Sequence, residues 1–339
     1  MELATFAVWA KFIACAVAIG LAGHEVCRSA DRIARATGMS GGWIGLALVA
    51  VVTSLPELTT GVTAVTVASA PNIAVGNALG ACVLNLMMVG VLDLLHRSEP
   101  LYRRIGEAHL LSAAFGVLLL GLAGFGLLLG ASGVSGAPAA LLYVGWYTPA
   151  LFALYLVALR AVYLHDRARA APRKPSGLSD SDLRRAVRRF ALAAVVVVAA
   201  GIWLPFLGSE LAATLGWNRS FVGTVFVAVV TTLPEMAVTI AALRIGAVDL
   251  AVGNLLGSNL FNVAIIAIDD LFYAPGPLLS NVSPVHAVTA ISAVIMSALA
   301  IIGLALRPTG RVLRTVSWVS LGVLLVFLLN GLVVFLHGD

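Results

Sequence analysis

Apolar residues run along this chain in blocks of about 20, the length that crosses the hydrocarbon core of a bilayer as a helix. The blocks fall at 4–22, 41–67, 72–95, 107–130, 138–162, 187–207, 219–245, 249–272, 284–306 and 313–336. They predict an all-α polytopic membrane protein with ten transmembrane helices. The runs are continuous rather than alternating, which argues against a transmembrane β-barrel. The second and seventh blocks exceed one crossing and each holds an internal proline, Pro56 or Pro234, so both are expected to tilt or break. The first block has no basic leader or cleavage site and reads as a retained helix.

Composition agrees with the pattern. The 339 residues are 60% hydrophobic and 11% charged, with mean hydropathy +1.02. A soluble domain carries about 25% charged residues. The basic balance, a net charge of +5, would suit nucleic acid if the charges formed one patch. Instead they follow the topology. With the N-terminus outside, 19 of the 21 Lys and Arg fall in loops on the inner side, and only Lys11 and Arg219 remain outside. The positive-inside rule therefore places both termini outside and the basic segment 163–189 in the cytoplasm. A multi-pass protein of the cell (inner) membrane is expected, with the lipid bilayer and inorganic cations as partners and no nucleic acid. The sequence sets no oligomeric state. Cys15, Cys27 and Cys82 show no paired or metal-ligand spacing, and the six His are scattered.

The segment 163–189 separates two five-helix halves, 1–162 and 190–339, which carry an internal repeat. "GLALVAVVTSLPELTTGVTAV" (45–65) matches "GTVFVAVVTTLPEMAVTIAAL" (223–243) at an offset of 178 residues. "NIAVGNALGACVLNL" (72–86) matches "DLAVGNLLGSNLFNV" (249–263) at 177. A weaker echo pairs "AGHEVCRSADRIA" with "LGSELAATLG". The repeats span about 41–95 and 219–272. Five helices are an odd number, so the second half starts on the opposite side and the repeats are inverted. Inverted repeats with a broken helix at mid-membrane describe a secondary transporter.

Each Glu, Glu57 and Glu235, follows a proline near the midplane, where charge is expensive and marks function. The prolines are expected to free carbonyls near Ala50 and Val51, and near Ala228 and Val229. Thr53 and Ser54, Thr231 and Thr232 add hydroxyls beside the two carboxylates. The following helices add a stripe at four-residue spacing, Asn254, Ser258 and Asn262 in one repeat and Asn77, Ala81 and Asn85 in the other. Gly76, Gly80, Gly253 and Gly257 are expected to let these helices approach the broken ones. Carboxylate, hydroxyl, amide and carbonyl oxygens make a hard site suited to Ca²⁺ or Na⁺ rather than zinc or copper. Two carboxylates balance one Ca²⁺, and the empty site needs replacement cations or protons, which favours exchange. Asp93, Glu107, Asp269 and Asp270 lie near span ends and are expected at the interface. No Ser or Cys has a His or Lys base at matching depth, so no enzyme is expected.

"TSLPE" with "GNALGACVLN", and "TTLPE" with "GNLLGSNLFN", resemble the cation/calcium exchanger superfamily, especially its prokaryotic sodium/calcium exchanger branch. The resemblance implies a 5+5 fold whose two α-repeats meet at a midplane cation cluster, and exchange of Na⁺ for Ca²⁺ by alternating access. It implies ligands at Thr53, Ser54, Glu57, Thr231, Thr232, Glu235, Ser258, Asn85 and Asn262, with transported ions and no cofactor. Three positions depart from the family pattern. Ala81 and Cys82 stand where Ser-Asn is usual, Val52 and Val230 where Gly is common, and both Asn85 and Asn262 are Asn where one is often Asp. With fewer oxygens, H⁺ competes with Na⁺ as counter-ion and another cation with Ca²⁺. A non-transporting sensor or scaffold with a degraded first repeat is the reading from another class.

Overall fold

The computed structural model describes residues 2–37, 50–96, 101–106, 108–132, 142–169, 180–312 and 315–338. Several stretches of the predicted pattern lie outside the described residues. They are 41–49 of the second span, Arg97 and Glu107, the start of the fifth span to 141, linker residues 170–179, and Arg314. The described chain is helical: α1 (Glu2–Thr37), α2 (Ala50–Thr53), α3 (Leu55–Thr66), α4 (Pro71–Leu95), α5 (Ala108–Ser132), α6 (Tyr147–Arg169), α7 (Asp180–Leu215), α8 (Ala228–Thr231), α9 (Leu233–Arg244), α10 (Val248–Phe272), α11 (Val285–Leu306) and α12 (Trp318–His337). A turn of helix, Arg219–Phe221, and a π-helical segment, Val222–Val227, lead into α8.

Among the described residues, eight helices are long and apolar enough to cross a membrane, and nine if the bent pair Arg219–Thr231 and Leu233–Arg244 counts as one span. The chain is thus a polytopic all-helical membrane protein. Two helices outrun their apolar blocks, since α1 and α7 each extend 36 residues where 4–22 and 187–207 were expected. Hydropathy marks only the length in contact with hydrocarbon. The Arg-bearing ends contain no proline, so nothing in the backbone stops the helix there.

Both long blocks break where the prolines predict. Thr232 ends α8 with φ −78° and ψ −1°, and the two limbs meet at 48°. Ser54 sits at the matching break with φ −86° and ψ 14°. Pro56 and Pro234 lack an N–H and cannot donate one turn back. The carbonyls left short of that donor belong to Val52 and Val230, which corrects the expected positions. Ala50 O accepts from Ser54 N at 3.1 Å and from the Thr53 hydroxyl at 3.0 Å. Ala228 O accepts from Thr232 N at 3.0 Å and from the Thr231 and Thr232 hydroxyls at 3.2 and 2.6 Å.

α4 and α10 form the buried centre, while α1 and α7 pack along one another at the periphery. Phe6, Ile13, Leu21, Leu192 and Val195 stay exposed on those two helices, the lipid-facing apolar surface of a membrane protein. Each outer helix also crosses the break of the other half. A side chain at Gly23 of α1 would overlap Pro234, and one at Gly201 of α7 would overlap Thr59 and meet Pro56 O at 3.5 Å. Gly23 and Gly201, like Pro56 and Pro234, are 178 residues apart. The structural register of the first helices is therefore 178, not the alignment with Gly208 that the weaker echo implies.

Helix α4 makes its close approach as its glycines predict. A Cβ at Gly76 would lie 3.0 Å from Thr224 N, and one at Gly80 2.8 Å from the Ala228 side chain. Gly253 differs, because its neighbour is His109 at 3.2 Å rather than a broken helix.

Three acidic residues expected at the interface are fully buried: Asp93, Asp269 and Asp270. Two of them are helix-end clamps. Asp93 accepts from Leu101 N at 2.7 Å and Ser317 N at 2.8 Å. Asp270, 177 residues on, accepts from Leu278 N at 2.6 Å, Gly145 N at 2.8 Å, Tyr147 at 2.7 Å and Thr148 at 2.6 Å. Each ties the end of a central helix to the short 3₁₀ turn eight residues later and to the approach of its half's last helix. Charged acceptors met by several donors tolerate burial well.

Candidate cation site

The two breaks lie side by side in the interior. Glu57 occupies the first turn of α3 and Glu235 the first turn of α9, where the positive end of a helix dipole favours a carboxylate. Both are fully buried and close enough to repel each other. The hydroxyls cross over. Ser54 Oγ donates to Glu235 Oε1 at 2.9 Å, and Thr232 Oγ1 donates to Glu57 Oε1 at 3.3 Å. Ser54 and Thr232 occupy equivalent positions of the repeat, as do Glu57 and Glu235. Each half thus supplies the hydroxyl that orients the other half's carboxylate.

The helices that follow complete the enclosure. Ser258 Oγ, on α10, lies 3.5 Å from Glu235 Oε1 and 3.4 Å from Thr53 Oγ1. Asn77 Nδ2 donates to the backbone oxygen of Glu57 at 3.4 Å, and Asn254 Nδ2 to that of Glu235 at 3.5 Å. These amides hold the first turns of α3 and α9 to α4 and α10. Where Ala81 lacks the hydroxyl of Ser258, Thr231 Oγ1 turns to Asn77 Oδ1 at 2.9 Å.

All nine residues singled out by the sequence, Thr53, Ser54, Glu57, Thr231, Thr232, Glu235, Ser258, Asn85 and Asn262, are fully buried. The first seven join through the bonds above, with Thr231 entering through Asn77. Asn85 and Asn262 stand on α4 and α10 without a bond to that group. Asn85 Nδ2 instead donates to Asn259 Oδ1 at 3.0 Å, and Asn259 Nδ2 donates to Cys82 O at 3.3 Å. Asn259 was not singled out, although its equivalence to Cys82 at an offset of 177 marks it as the amide kept in one repeat and lost in the other.

Glu57 Oε2, Glu235 Oε2, Asn85 Oδ1, Asn254 Oδ1 and both polar atoms of Asn262 have no hydrogen-bond partner within the protein. Five of these six atoms are oxygens. Buried oxygens without donors are costly unless a cation or a proton meets them. Among the described residues, no three His, Cys, Asp or Glu side chains gather as a metal cluster, so the donors on offer are hard oxygens. Such a set suits alkali or alkaline-earth ions.

Comparison with known proteins agrees with this architecture. A profile of the family described as sodium/calcium exchanger protein matches residues 7–161 and 186–333. The chain belongs to the sodium/calcium exchanger family, and is a transporter rather than an enzyme. It is 30% identical over 257 residues to the putative antiporter CaxA of Alkalimonas amylolytica, covering 73% of this chain and 75% of that one. It is 26% identical over 247 residues to the inner membrane protein YrbG of Escherichia coli, covering 69% and 70%. A shorter match, 45% over 60 residues and 17% of each chain, is to the sodium/calcium exchanger MaX1 of Methanosarcina acetivorans. The fold is similar to that of the sodium-calcium exchanger NCX_Mj soaked with 2.5 mM Na⁺ and 0.1 mM Sr²⁺, with TM-score 0.63 and 20% identity over 96% of this chain and 98% of that one.

Proposed function

We propose that this cation antiporter exchanges Na⁺ for Ca²⁺ by alternating access around a site built from both repeats. The ligands are Glu57 and Glu235 with Thr53, Ser54, Thr231, Thr232 and Ser258, joined by Asn85 and Asn262. The carrying observation is the crossed pair of bonds, Ser54 to Glu235 and Thr232 to Glu57. Neither half can assemble the site without the other, so relative movement of the halves changes the site's coordination. Two carboxylates neutralise one Ca²⁺, and the unloaded site needs other cations before the barrier can be crossed.

The same contacts support two inverted five-helix halves, 1–162 and 190–339, with repeats at 41–95 and 219–272 and ten helices in all. Gly23 on Pro234 and Gly201 on Pro56 are the contacts expected when an element and its inverted copy exchange places. The charge distribution supports both termini outside, the 163–189 segment in the cytoplasm, and residence in the inner membrane. The name of the YrbG relative agrees with that last point.

Proton-coupled cation exchange is the second reading, and Ala81 favours it. Thr231 has no hydroxyl partner at that position and bonds Asn77 instead, which leaves fewer free oxygens for several Na⁺ at once. Proteoliposomes decide between the two. Ca²⁺ uptake driven by an outward Na⁺ gradient, with no response to a pH gradient, supports Na⁺ coupling. The reverse pattern supports H⁺, and uptake under neither gradient rules out Ca²⁺ as the substrate.

A further inference from the structure

One buried carboxylate takes no part in the site or in the helix-end clamps. Asp269 lies on α10, seven residues beyond Asn262, which is about 10 Å along the axis at 1.5 Å per residue. It is fully buried, and neither carboxylate oxygen has a hydrogen-bond partner. Both oxygens face Gly61 of α3 so closely that a Cβ there would overlap them. Gly61 is one turn beyond Glu57 on the same short helix. The next residue, Asp270, points elsewhere and accepts four bonds. The first repeat has Leu92 at the position equivalent to Asp269, so this carboxyl belongs to one half only.

An ionised carboxylate with no donor and no water is among the most expensive groups to bury. A metal ion there would need several more oxygens, but the adjoining chain is apolar: Ile265 and Ile266 on α10, Val62 and Val65 on α3. A proton needs no further ligand. We propose that Asp269 is a proton-binding carboxyl, distinct from the central pair, that is protonated while α3 lies against α10. Deprotonation leaves a bare charge facing Gly61, which the closed interface cannot solvate, so the charged form favours separation of the two helices.

The titratable groups on the surrounding elements do not supply a counter-charge. From α3 there is Glu57, from α9 Glu235 and Arg244, and from α4 Cys82 and Asp93. From α5 there is His109, which pairs with Asp249 at the other end of α10. From α6 there are Tyr147, bound to Asp270, and Tyr155, with Arg160, Tyr163 and His165 further along the helix. Asp270 is the charged group close enough to act on Asp269, and its negative charge also favours the proton.

Infrared difference spectra of the full-length protein in lipid, recorded between alkaline and acidic pH, test this without any transport assay. The Glu57→Gln/Glu235→Gln variant should retain a protonated-carboxyl band that Asp269→Asn removes. An unchanged band in Asp269→Asn overturns the proposal. If that variant does not fold, Asp269→Glu should shift the band, and a band at the same position counts against the proposal. In liposomes, Asp269→Asn should flatten the pH profile of cation flux while flux itself persists. An unaltered profile would mean that the group does not titrate during exchange. A failure of the exchange reading would leave the infrared result standing.

Discussion

Ser54 of one half donates its hydroxyl to Glu235 of the other at 2.9 Å, and the repeat returns the contact from Thr232 to Glu57 at 3.3 Å. A hydroxyl bound to a charged acceptor contributes about 1.5–3 kcal/mol. Ser54→Ala and Thr232→Ala should each weaken apparent Ca²⁺ affinity by roughly tenfold to a hundredfold, on the scale of about 1.4 kcal/mol per decade. The concentration dependence of ⁴⁵Ca²⁺ uptake reads this out. The longer Thr232 bond should give the smaller effect, and wild-type affinity in both variants would remove the crossed pair from the site.

Asn259 orients Asn85. By binding the amide nitrogen at 3.0 Å it leaves Asn85 Oδ1 as the atom without a partner. Asn259→Ala should therefore lower cation affinity severalfold, although Asn259 is not itself proposed as a ligand. A double-mutant cycle with Asn85→Ala should be non-additive, since the two changes remove one interaction. Additive losses would show that the residues act separately.

Restoring the hydroxyl at Ala81 gives Thr231 a partner equivalent to the one Thr53 has in Ser258 at 3.4 Å. Ala81→Ser is expected to tighten the Na⁺ dependence of exchange, measured as the Na⁺ concentration for half-maximal Ca²⁺ flux. An unchanged Na⁺ response would mean that this position is not a ligand.

Packing at the breaks makes a prediction about stability and rate. Gly201→Ala places a methyl on Thr59, and Gly23→Ala places one on Pro234. Overpacking of this kind costs about 1–3 kcal/mol. Both variants should melt at lower temperature in detergent and turn over more slowly, with cation affinity little changed. A large affinity loss with normal melting would mean that these glycines act on the site directly.

The clamp at Asp270 is structural. Asp270→Ala leaves Gly145 N, Leu278 N and two hydroxyls without their acceptor. A loss of about 3–5 kcal/mol is expected, the scale for breaking a buried charged network. Thermal unfolding of the purified protein checks it, and a melting temperature within a degree of wild type would contradict the clamp.

Much of the site was legible because the chain states it twice. The offset of 178 carried Pro56 onto Pro234 and Glu57 onto Glu235, and proline chemistry placed the breaks. Helix ends were less legible, because hydropathy follows hydrocarbon contact and α1 and α7 continue through their Arg-bearing ends. Asp93 and Asp270 were misplaced for a related reason. Nearness to a span end says nothing about a 3₁₀ turn folding back to cover the carboxylate with N–H donors. Their equivalence at an offset of 177 was the available clue. Asn259 escaped notice because its partner positions, Asn85 and Cys82, lie on another helix.

The central claim is that Glu57 and Glu235 together set the charge that a transported cation must match. Its most direct measurement is Na⁺-gradient-driven ⁴⁵Ca²⁺ uptake by reconstituted wild type, Glu57→Gln and Glu235→Gln at equal protein density. Loss of uptake to the level of empty liposomes in each single variant is the predicted result. Uptake that survives in both variants would contradict it.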